Sequence, residues 1–177
     1  MTDMEGRIFA PRCYIGYDDD PKFKFGMDTL CLEPQIFLLQ MENFPLERKK
    51  ALWKAIWEKN LCMEKSGART REIPLWDAGG HGEDGGIWFS HQGGLIVGLS
   101  TFDQGAAWEL FHKLTFHHYA KEYPDYWLGH WTFADSLEST LSDREGLYHF
   151  WTPGAFHPFC AHAHAWMLYC YYNLKEL

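Results

Sequence analysis

Leucine and aromatic residues dominate the apolar residues of this chain and valine is nearly absent, which limits the folds it can adopt. Valine occurs once, at Val97, against nineteen leucines, nine tryptophans, nine tyrosines and thirteen phenylalanines in 177 residues. Strands usually draw their preference from β-branched residues, so any strand here depends on Phe, Tyr and Trp. Aromatic rings bury a large area through two torsions, which favours rigid packing and adhesive surfaces. The composition therefore predicts a packed globular chain and excludes a disordered class.

The domain organisation follows from the length and from the absence of internal boundaries. The length is that of one domain, and we find neither an internal repeat nor a linker long enough to divide the chain. We expect a single α+β domain over residues 1–177, with a mixed or largely antiparallel sheet and three main helices. The C-terminal helix is predicted to be central and buried.

Strands are predicted where aromatic or apolar runs lie between turn residues. The predicted strands are Arg7–Tyr17, Lys22–Leu30, Pro34–Met41, Ile73–Trp76, Trp127–Phe133 and Leu147–Thr152. Asp18-Asp19-Asp20-Pro21 predicts a turn between the first two. A further hairpin is expected from Ile87–His91 and Leu95–Thr101, because Gln92-Gly93-Gly94 lies between them.

Helices are predicted from apolar spacing and from capping residues. The first main helix begins near Pro45 and ends near Asn60–Glu64, and its expected inward residues are Leu46, Trp53, Ile56 and Trp57. The second begins at a Thr101 or Asp103 cap and ends near Glu122, with Ala107, Leu110, Phe111, Leu114 and His118 facing inward. The third is Pro158–Leu174, which is apolar on most of its sides and is therefore expected to be buried. A short helix is also expected at Ala134–Asp143.

The charge distribution excludes some partners. The formal charge is −8, and all of it arises in residues 73–177, which carry four Lys/Arg and twelve Asp/Glu. This half lacks the basic face that sequence-independent nucleic acid binding requires, and it favours cations or a basic partner. No apolar run approaches the ~20 residues of a membrane span. Five cysteines without a CxxC pair, and no leader-like start, predict a cytoplasmic protein with free thiols.

The histidines crowd into one part of the chain. All ten lie between His81 and His164, interleaved with tryptophans. Imidazole titrates near neutral pH and is the commonest metal ligand, so the crowding indicates a site. On the predicted helices His118 and His164 lie at or near the core, and His112 and His162 are peripheral. Five of the others lie on predicted loops and strands and are the candidates for a site: His81, His91, His130, His149 and His157.

The glycine-rich segment Gly79–Gly86 is a second indication of a site. It holds five glycines in eight residues and carries His81, Glu83 and Asp84 as donors. We interpret it as a mobile loop that closes over a ligand. It lacks the GK[ST] ending of a phosphate-binding loop, so no nucleotide is implied.

Two functions of different class fit these observations. The first is a non-catalytic binding protein that sequesters or neutralises a small ligand or a protein partner through an aromatic- and His-lined pocket or surface in residues 76–164. Its predicted ligand-binding residues are His81, Trp88, His91, Trp127, His130, Trp131, His149, Trp151 and His157. This function needs no cofactor.

The alternative is a metal-dependent hydrolase that holds zinc or another divalent transition metal. Its candidate ligands are His81, His91, His130, His149 and His157, and its candidate general bases are Glu83 and Asp84. A third hypothesis is a pH-responsive switch through the clustered histidines. No spacing among these residues matches a signature specific enough to name a reaction.

Overall fold

The computed structural model describes residues 8–14, 24–25, 28–74, 79–82, 84–127, 134–149 and 161–175. Within these ranges the helices are α1 (Leu32–Gln40), α2 (Leu46–Ile56), α3 (Phe89–Ser100), α4 (Gln104–Lys113), α5 (Phe116–Glu122) and α6 (Ala161–Lys175). The strands are β1 (Cys13–Tyr14), β2 (Lys24–Phe25), β3 (Ile87–Trp88), β4 (Ser136–Leu137) and β5 (Tyr148–His149). The prediction of mixed α and β structure is confirmed, although helices dominate the described ranges. None of these helices combines the length and the apolarity that crossing a membrane requires.

Helix α3 lies at the centre of the helical packing. It contacts α1, α4 and α6, and nine of its twelve residues are buried. Gly94 allows α1 to approach closely, because a Cβ there would lie 2.6 Å from Cγ2 of Ile36. The hairpin predicted from Ile87–His91 and Leu95–Thr101 is therefore wrong. Its glycines serve close helix packing instead of a turn.

Gln92, predicted to lie in the hairpin turn, instead pairs with the main chain of a distant segment. Its buried amide accepts a hydrogen bond from the backbone N–H of Ala68 at 2.8 Å and donates one to the Ala68 carbonyl at 2.7 Å. The side chain thus pairs with the main chain as a neighbouring strand would. This pairing ties the centre of the fold to the segment that follows α2.

Helix α1 replaces the strand predicted at Pro34–Met41. The helix begins at Leu32, so Pro34 lies in its first turn, where the missing N–H has no intrahelical acceptor in any case. The buried amide of Gln35 accepts a hydrogen bond from the N–H of Ala10 at 2.9 Å and donates to the Ala10 carbonyl at 2.7 Å. A short apolar run does not separate helix from strand by periodicity alone, which explains the error.

Helix α2 begins where the sequence predicts, directly after Pro45, and continues through a π-helical turn, Trp57–Leu61. Its predicted inward face is partly wrong. Ile56 is buried and Trp53 is half-buried, but Leu46 and Trp57 are exposed. The buried face is rotated toward Lys49 and Leu52. The Lys49 ammonium lies 3.3 Å from the hydroxyl of Thr101, which gives this buried charge a polar contact.

The helix predicted from Asp103 to Glu122 is present as two helices. The Asp103 carboxylate caps α4 by accepting from the N–H of Ala106 at 3.0 Å, as the sequence predicts. Helix α4 ends at Lys113, with Leu114 as its C-cap. The Thr115 hydroxyl then caps α5 by accepting a hydrogen bond from the N–H of His118 at 3.2 Å. Ala107, Leu110 and Leu114 are buried as predicted, and Phe111 is half-buried. His118 is also half-buried, with its Nε2 2.9 Å from the Lys65 carbonyl.

The strands form two small antiparallel sheets. β1 pairs with β2, with Cys13 opposite Phe25, inside the first two predicted strands. β4 lies between β3 and β5, with Leu137 opposite Ile87 and Tyr148. The short helix predicted at Ala134–Asp143 is therefore wrong, and the strand at Leu147–Thr152 is confirmed in part by β5. Other predicted segments fall wholly or partly outside the described residues: the turn at 18–21, most of Trp127–Phe133 and the second half of Ile73–Trp76.

Helix α6 occurs close to its predicted range, but its central and buried position is not confirmed. One stripe is buried, formed by Ala163, Cys170 and Leu174, and it packs on α3 and α4. The outer side of the helix is exposed. The helix thus covers the core from one side, and α3 takes the central place that the sequence analysis predicted for α6.

A buried carboxylate joins the segment after α2 to the turn after β4. Glu64 accepts hydrogen bonds from the N–H and hydroxyl of Thr140 and lies 3.4 Å from the Arg69 guanidinium. Burial raises the pKa of Glu64 above its ordinary value, and these contacts lower it only in part. The ionised form is therefore less favourable in the folded protein than in the unfolded chain.

We expect the Glu64 contribution to stability to fall as the pH rises. A carboxyl whose folded pKa is raised stabilises the fold below its unfolded pKa of about 4.3, and this contribution disappears as the pH rises through the folded pKa. Chemical denaturation of the wild type and Glu64→Gln between pH 4 and 8 measures it as the difference in unfolding free energy. The wild type is expected to lose stability relative to the variant with rising pH. A constant or opposite difference would contradict this assignment.

Candidate functional site

The described part of the glycine-rich segment is a hydrogen-bonded turn. The N–H of Gly80 donates to the carbonyl of Asp84 at 2.8 Å, and the N–H of Gly86 donates to that of Gly82 at 3.1 Å. Gly80 has φ of 97°, and a Cβ there would lie 2.5 Å from the backbone nitrogen of Ser142. These glycines thus permit a tight turn against the chain after β4. Residues 79–82 and 84–86 therefore form a tight turn, and the movement of this segment over a ligand stays a prediction.

Asp84, a predicted general base, lies inside this turn. Its carboxylate is 3.1 Å from the Arg71 guanidinium, and both side chains are 3% exposed. His81 is half-buried at the other end of the turn and bridges to Asp84 and Gly85 through the backbone. A buried carboxylate beside arginine holds the turn to the preceding segment, and solvent has little access to it.

His91 lies in a different place, beside a buried thiol that the sequence analysis did not single out. A narrow crevice is lined by Arg12, Cys31, Glu33, Thr70 and His91. Cys31 directly precedes α1, a position that often activates a thiol. Burial, however, raises the pKa of Cys31, and the nearby Arg71 and Arg12 oppose the rise only in part. The thiol is therefore protonated at neutral pH, which disfavours nucleophilic chemistry.

The predicted aromatic residues are divided between two clusters. Trp88 meets His91 edge-on at 5.1 Å between ring centroids. Trp127 packs instead against Phe116 and Tyr119, at 6.0 and 6.3 Å. Each cluster joins neighbouring elements of the fold, and each is consistent with packing as well as with binding.

Several predicted site residues lie outside the described residues. These are Glu83, His130, Trp131, Trp151 and His157, and for His149 the description covers the backbone alone. Among the residues that the structure does describe, no group of three or more His, Cys, Asp or Glu side chains is arranged to hold a metal ion. The zinc site therefore stays a prediction that depends on the rest of the chain.

A group of exposed aromatic and apolar side chains lies on α6. We call it the α6 face and define it by His162, Ala165, Leu168, Tyr169 and Tyr172, which recur at the spacing of one helix side. Leu168, Tyr169 and Tyr172 are 63, 53 and 59% exposed. Large apolar side chains are exposed singly on most proteins, but a contiguous group marks an interaction surface.

The α6 face is also unusual in its charge. No Lys, Arg, Asp or Glu occurs from Ala161 to Leu174, although the outer side of this helix is exposed. A solvated helix normally carries charged residues on its outer side. Charged residues are depleted, and Tyr, Trp and Met enriched, at the centres of protein interfaces. The same absence of charge is visible in the sequence, where it indicates burial as readily as an interface.

The aromatic surface continues from α6 onto α4. Tyr171 meets Trp108 edge-on at 6.5 Å, and Trp108 lies 5.8 Å from His112. His112 and Tyr171 are both exposed. Rings from two helices thus lie next to each other. Rigid aromatic residues of this kind carry much of the binding energy at protein interfaces.

A shallow hollow lies at one edge of the α6 face. It has a volume of about 260 Å³ and is lined by His162, Ala165, Trp166 and Tyr169. Nε2 of His162 is 3.1 Å from a carboxylate oxygen of Asp135, which fixes one end of the hollow. Trp166 forms the base and rests on Gly93 of α3, where a Cβ would lie 2.6 Å from its ring. The hollow is therefore a preformed feature of the α3–α6 contact.

Comparison with known protein families and with curated proteins finds no match for this chain.

Proposed function

We propose that this protein is a non-catalytic binding protein that recognises a protein partner through the α6 face. The observation that carries the proposal is the exposure of Leu168, Tyr169 and Tyr172 on a helix without charged residues from Ala161 to Leu174. Tyr and Trp contribute large contact areas at a small entropic cost, because few torsions become fixed on binding. This class of function is the one expected from the sequence. The proposed binding surface, however, lies on α6 and not in the pocket or surface expected within residues 76–164.

The shape of this surface favours a protein over a small ligand. Sites for small ligands are concave and enclose most of the ligand surface, with volumes of roughly 300–1,000 Å³. The hollow beside Trp166 has about 260 Å³ and is open to solvent, and the rest of the face is the outside of a helix. Such a hollow suits one apolar side chain of a larger partner.

The charge of the chain indicates the chemistry of that partner. The α6 face is uncharged, and residues 73–177, to which α6 belongs, carry a formal charge of −8. We therefore propose a partner with an apolar patch bordered by basic residues. Association with such a partner is expected to slow as salt is added, because salt screens long-range attraction.

Site-specific photocrosslinking tests the proposed function even while the partner is unidentified. A photoreactive phenylalanine analogue replaces Tyr169, and in a matched control it replaces Lys50, which is exposed on α2. We expect a discrete adduct from position 169 and none from position 50 in cells that naturally express the protein. Tyr172→Glu in the position-169 protein is expected to reduce the adduct by about tenfold or more, the loss typical of a central interface residue.

The fold of the tested variant must be unchanged for this result to count. Tyr172 is exposed, so its substitution is expected to change the unfolding free energy by less than about 0.5 kcal/mol. The same adducts at positions 169 and 50, or an adduct at 169 that survives Tyr172→Glu, would refute the proposal. One transition metal ion per chain in the untagged protein would instead favour the hydrolase hypothesis.

We also propose that the protein works in a reducing compartment such as the cytoplasm. Cys31, Cys62 and Cys170 carry free thiols, and Cys62 is exposed. Exposed thiols persist where the cell keeps them reduced.

A further inference from the structure

A groove lies between the end of α2 and the outer side of α4, and it does not involve α6. We call it the tryptophan groove; Trp53, Trp57, Cys62, Glu109, Leu110 and Lys113 are among its lining residues. Its volume is about 160 Å³, well below the roughly 300 Å³ at which sites for drug-sized ligands begin. The groove is therefore too small to enclose a whole ligand and has room for a single chemical group.

Two indole rings form the apolar wall. Trp53 is half-buried against the core, and Trp57 is one helical turn later and 51% exposed. A π-helical turn begins at Trp57, where the N–H of Cys62 donates to the Trp57 carbonyl at 2.7 Å. Such turns are rare and occur frequently at functional sites. An exposed indole on a turn of this kind, facing a cavity, is a ready binding surface.

The opposite wall carries the carboxylate of Glu109. This residue is exposed on α4, and it forms no ion pair with any residue in the described part of the chain. Lys113, four residues later, is the expected partner. The Lys113 ammonium instead lies 3.2 Å from the carbonyl of Glu64 and 3.4 Å from that of Lys65. These carbonyls hold the lysine at one end of the groove and leave the Glu109 carboxylate available to a ligand.

We propose that the tryptophan groove binds the quaternary ammonium group of a small organic cation. Indole faces attract cations through the ring quadrupole, and aromatic walls are the recurrent means of binding quaternary ammonium ligands. The Glu109 carboxylate supplies the opposite charge, and the Lys113 ammonium is drawn to the carbonyls of Glu64 and Lys65 at the end of the groove. A primary ammonium carries three N–H donors that need acceptors, whereas a quaternary ammonium needs none, which suits a lining that is mainly apolar and has one carboxylate.

The test compares choline with its uncharged analogue 3,3-dimethylbutan-1-ol, which has the same shape. Binding is followed by NMR on the indole N–H signals, and Trp53→Phe and Trp57→Phe identify the two relevant signals. We expect choline to shift these two signals with saturation, and the neutral analogue to bind at least about tenfold more weakly, because it lacks the cation–π attraction.

Two variants at exposed positions test the carboxylate. Glu109→Gln is expected to weaken choline binding by about five- to tenfold, as loss of a charge pair on top of the cation–π contact predicts. Glu47→Gln, at the start of α2 where Glu47 pairs with Lys50, is the matched control and is expected to have no effect. Equal binding of choline and its neutral analogue would overturn the proposal. So would unchanged affinity in Glu109→Gln, or shifts confined to other tryptophans.

Discussion

Replacing Asp84 by asparagine is expected to lower the unfolding free energy by about 3 kcal/mol, since breaking one side of a buried ion pair typically costs this much. Asp84 and Arg71 are 3.1 Å apart and 3% exposed, so water cannot take over the role of the carboxylate. Asparagine keeps the size of the side chain and removes only its charge. The Arg71 guanidinium then remains in the interior without the carboxylate that faces it. Urea denaturation of both proteins measures the loss.

Two further variants separate the charge pair from other effects. Asp125→Asn makes the same chemical change at an exposed position, and it is expected to alter stability by less than about 0.5 kcal/mol. Replacing both partners, as Arg71→Met with Asp84→Leu, is expected to cost less than Asp84→Asn alone, because buried pairs are often replaceable by apolar residues. A loss below about 1 kcal/mol in Asp84→Asn would show that Asp84 is not a structural residue. It would restore Asp84 as a candidate general base.

The sequence predicted where α2 and α4 begin and which stripe of α6 is buried, because these signals are local, whereas the three main helices it predicted are not confirmed. Pro45 precedes α2, and the Asp103 carboxylate caps α4. The buried stripe of α6 follows the predicted spacing through Ala163, Cys170 and Leu174. Each of these features depends on residues within about three helical turns of each other, so no tertiary contact is needed to infer them.

The prediction errors arose at residues whose main contacts are with residues distant in the sequence. Gly93 and Gly94 have turn chemistry locally, but α1 and α6 approach them so closely that only glycine fits. Gln92 pairs with Ala68, twenty-four residues earlier in the chain. The apolar run Pro34–Met41 suggested a strand, and its proline is accommodated in a helix because α1 begins two residues before it. Tertiary contacts of this kind override local propensity and leave no local signal.

The candidate site was missed for a related reason. The α6 sequence lacks charge on every side, and an apolar girth is the usual sign of a buried helix. Burial, however, requires neighbours on all sides, and in the described part of the chain the main packing contacts of α6 are with α3 and α4, while Leu168, Tyr169 and Tyr172 are exposed. The uncharged residues on the outer side of α6 are therefore exposed and form a surface. The sequence held the relevant signal, and its meaning depended on the number of packing partners.

Replacing Gly93 by alanine is expected to destabilise the protein by about 2 kcal/mol, the usual cost of overpacking a core contact. Helix propensity predicts the opposite sign, because alanine is favoured over glycine inside a helix by roughly 0.5–1 kcal/mol. At Gly93 the new Cβ would lie 2.6 Å from Cδ2 of Trp166, closer than atoms can pack. The Cys170 thiol, 3.4 Å from the Gly93 carbonyl, belongs to the same contact. The α3–α6 spacing must therefore widen.

Gly105→Ala in α4 is the matched control for helix propensity. A Cβ at Gly105 meets only a carboxylate oxygen of Asp103, at the ordinary distance of 3.6 Å. The control is therefore expected to be neutral or to stabilise the protein by up to about 1 kcal/mol. Trp166→Phe, which removes part of the ring, is expected to cost less in the Gly93→Ala background than in the wild type. Stabilisation by Gly93→Ala, or additive losses in the double variant, would contradict the close α3–α6 contact. Because Trp166 forms the base of the hollow beside the α6 face, Gly93→Ala is also expected to weaken partner binding, whereas Gly105→Ala is expected to leave it unchanged.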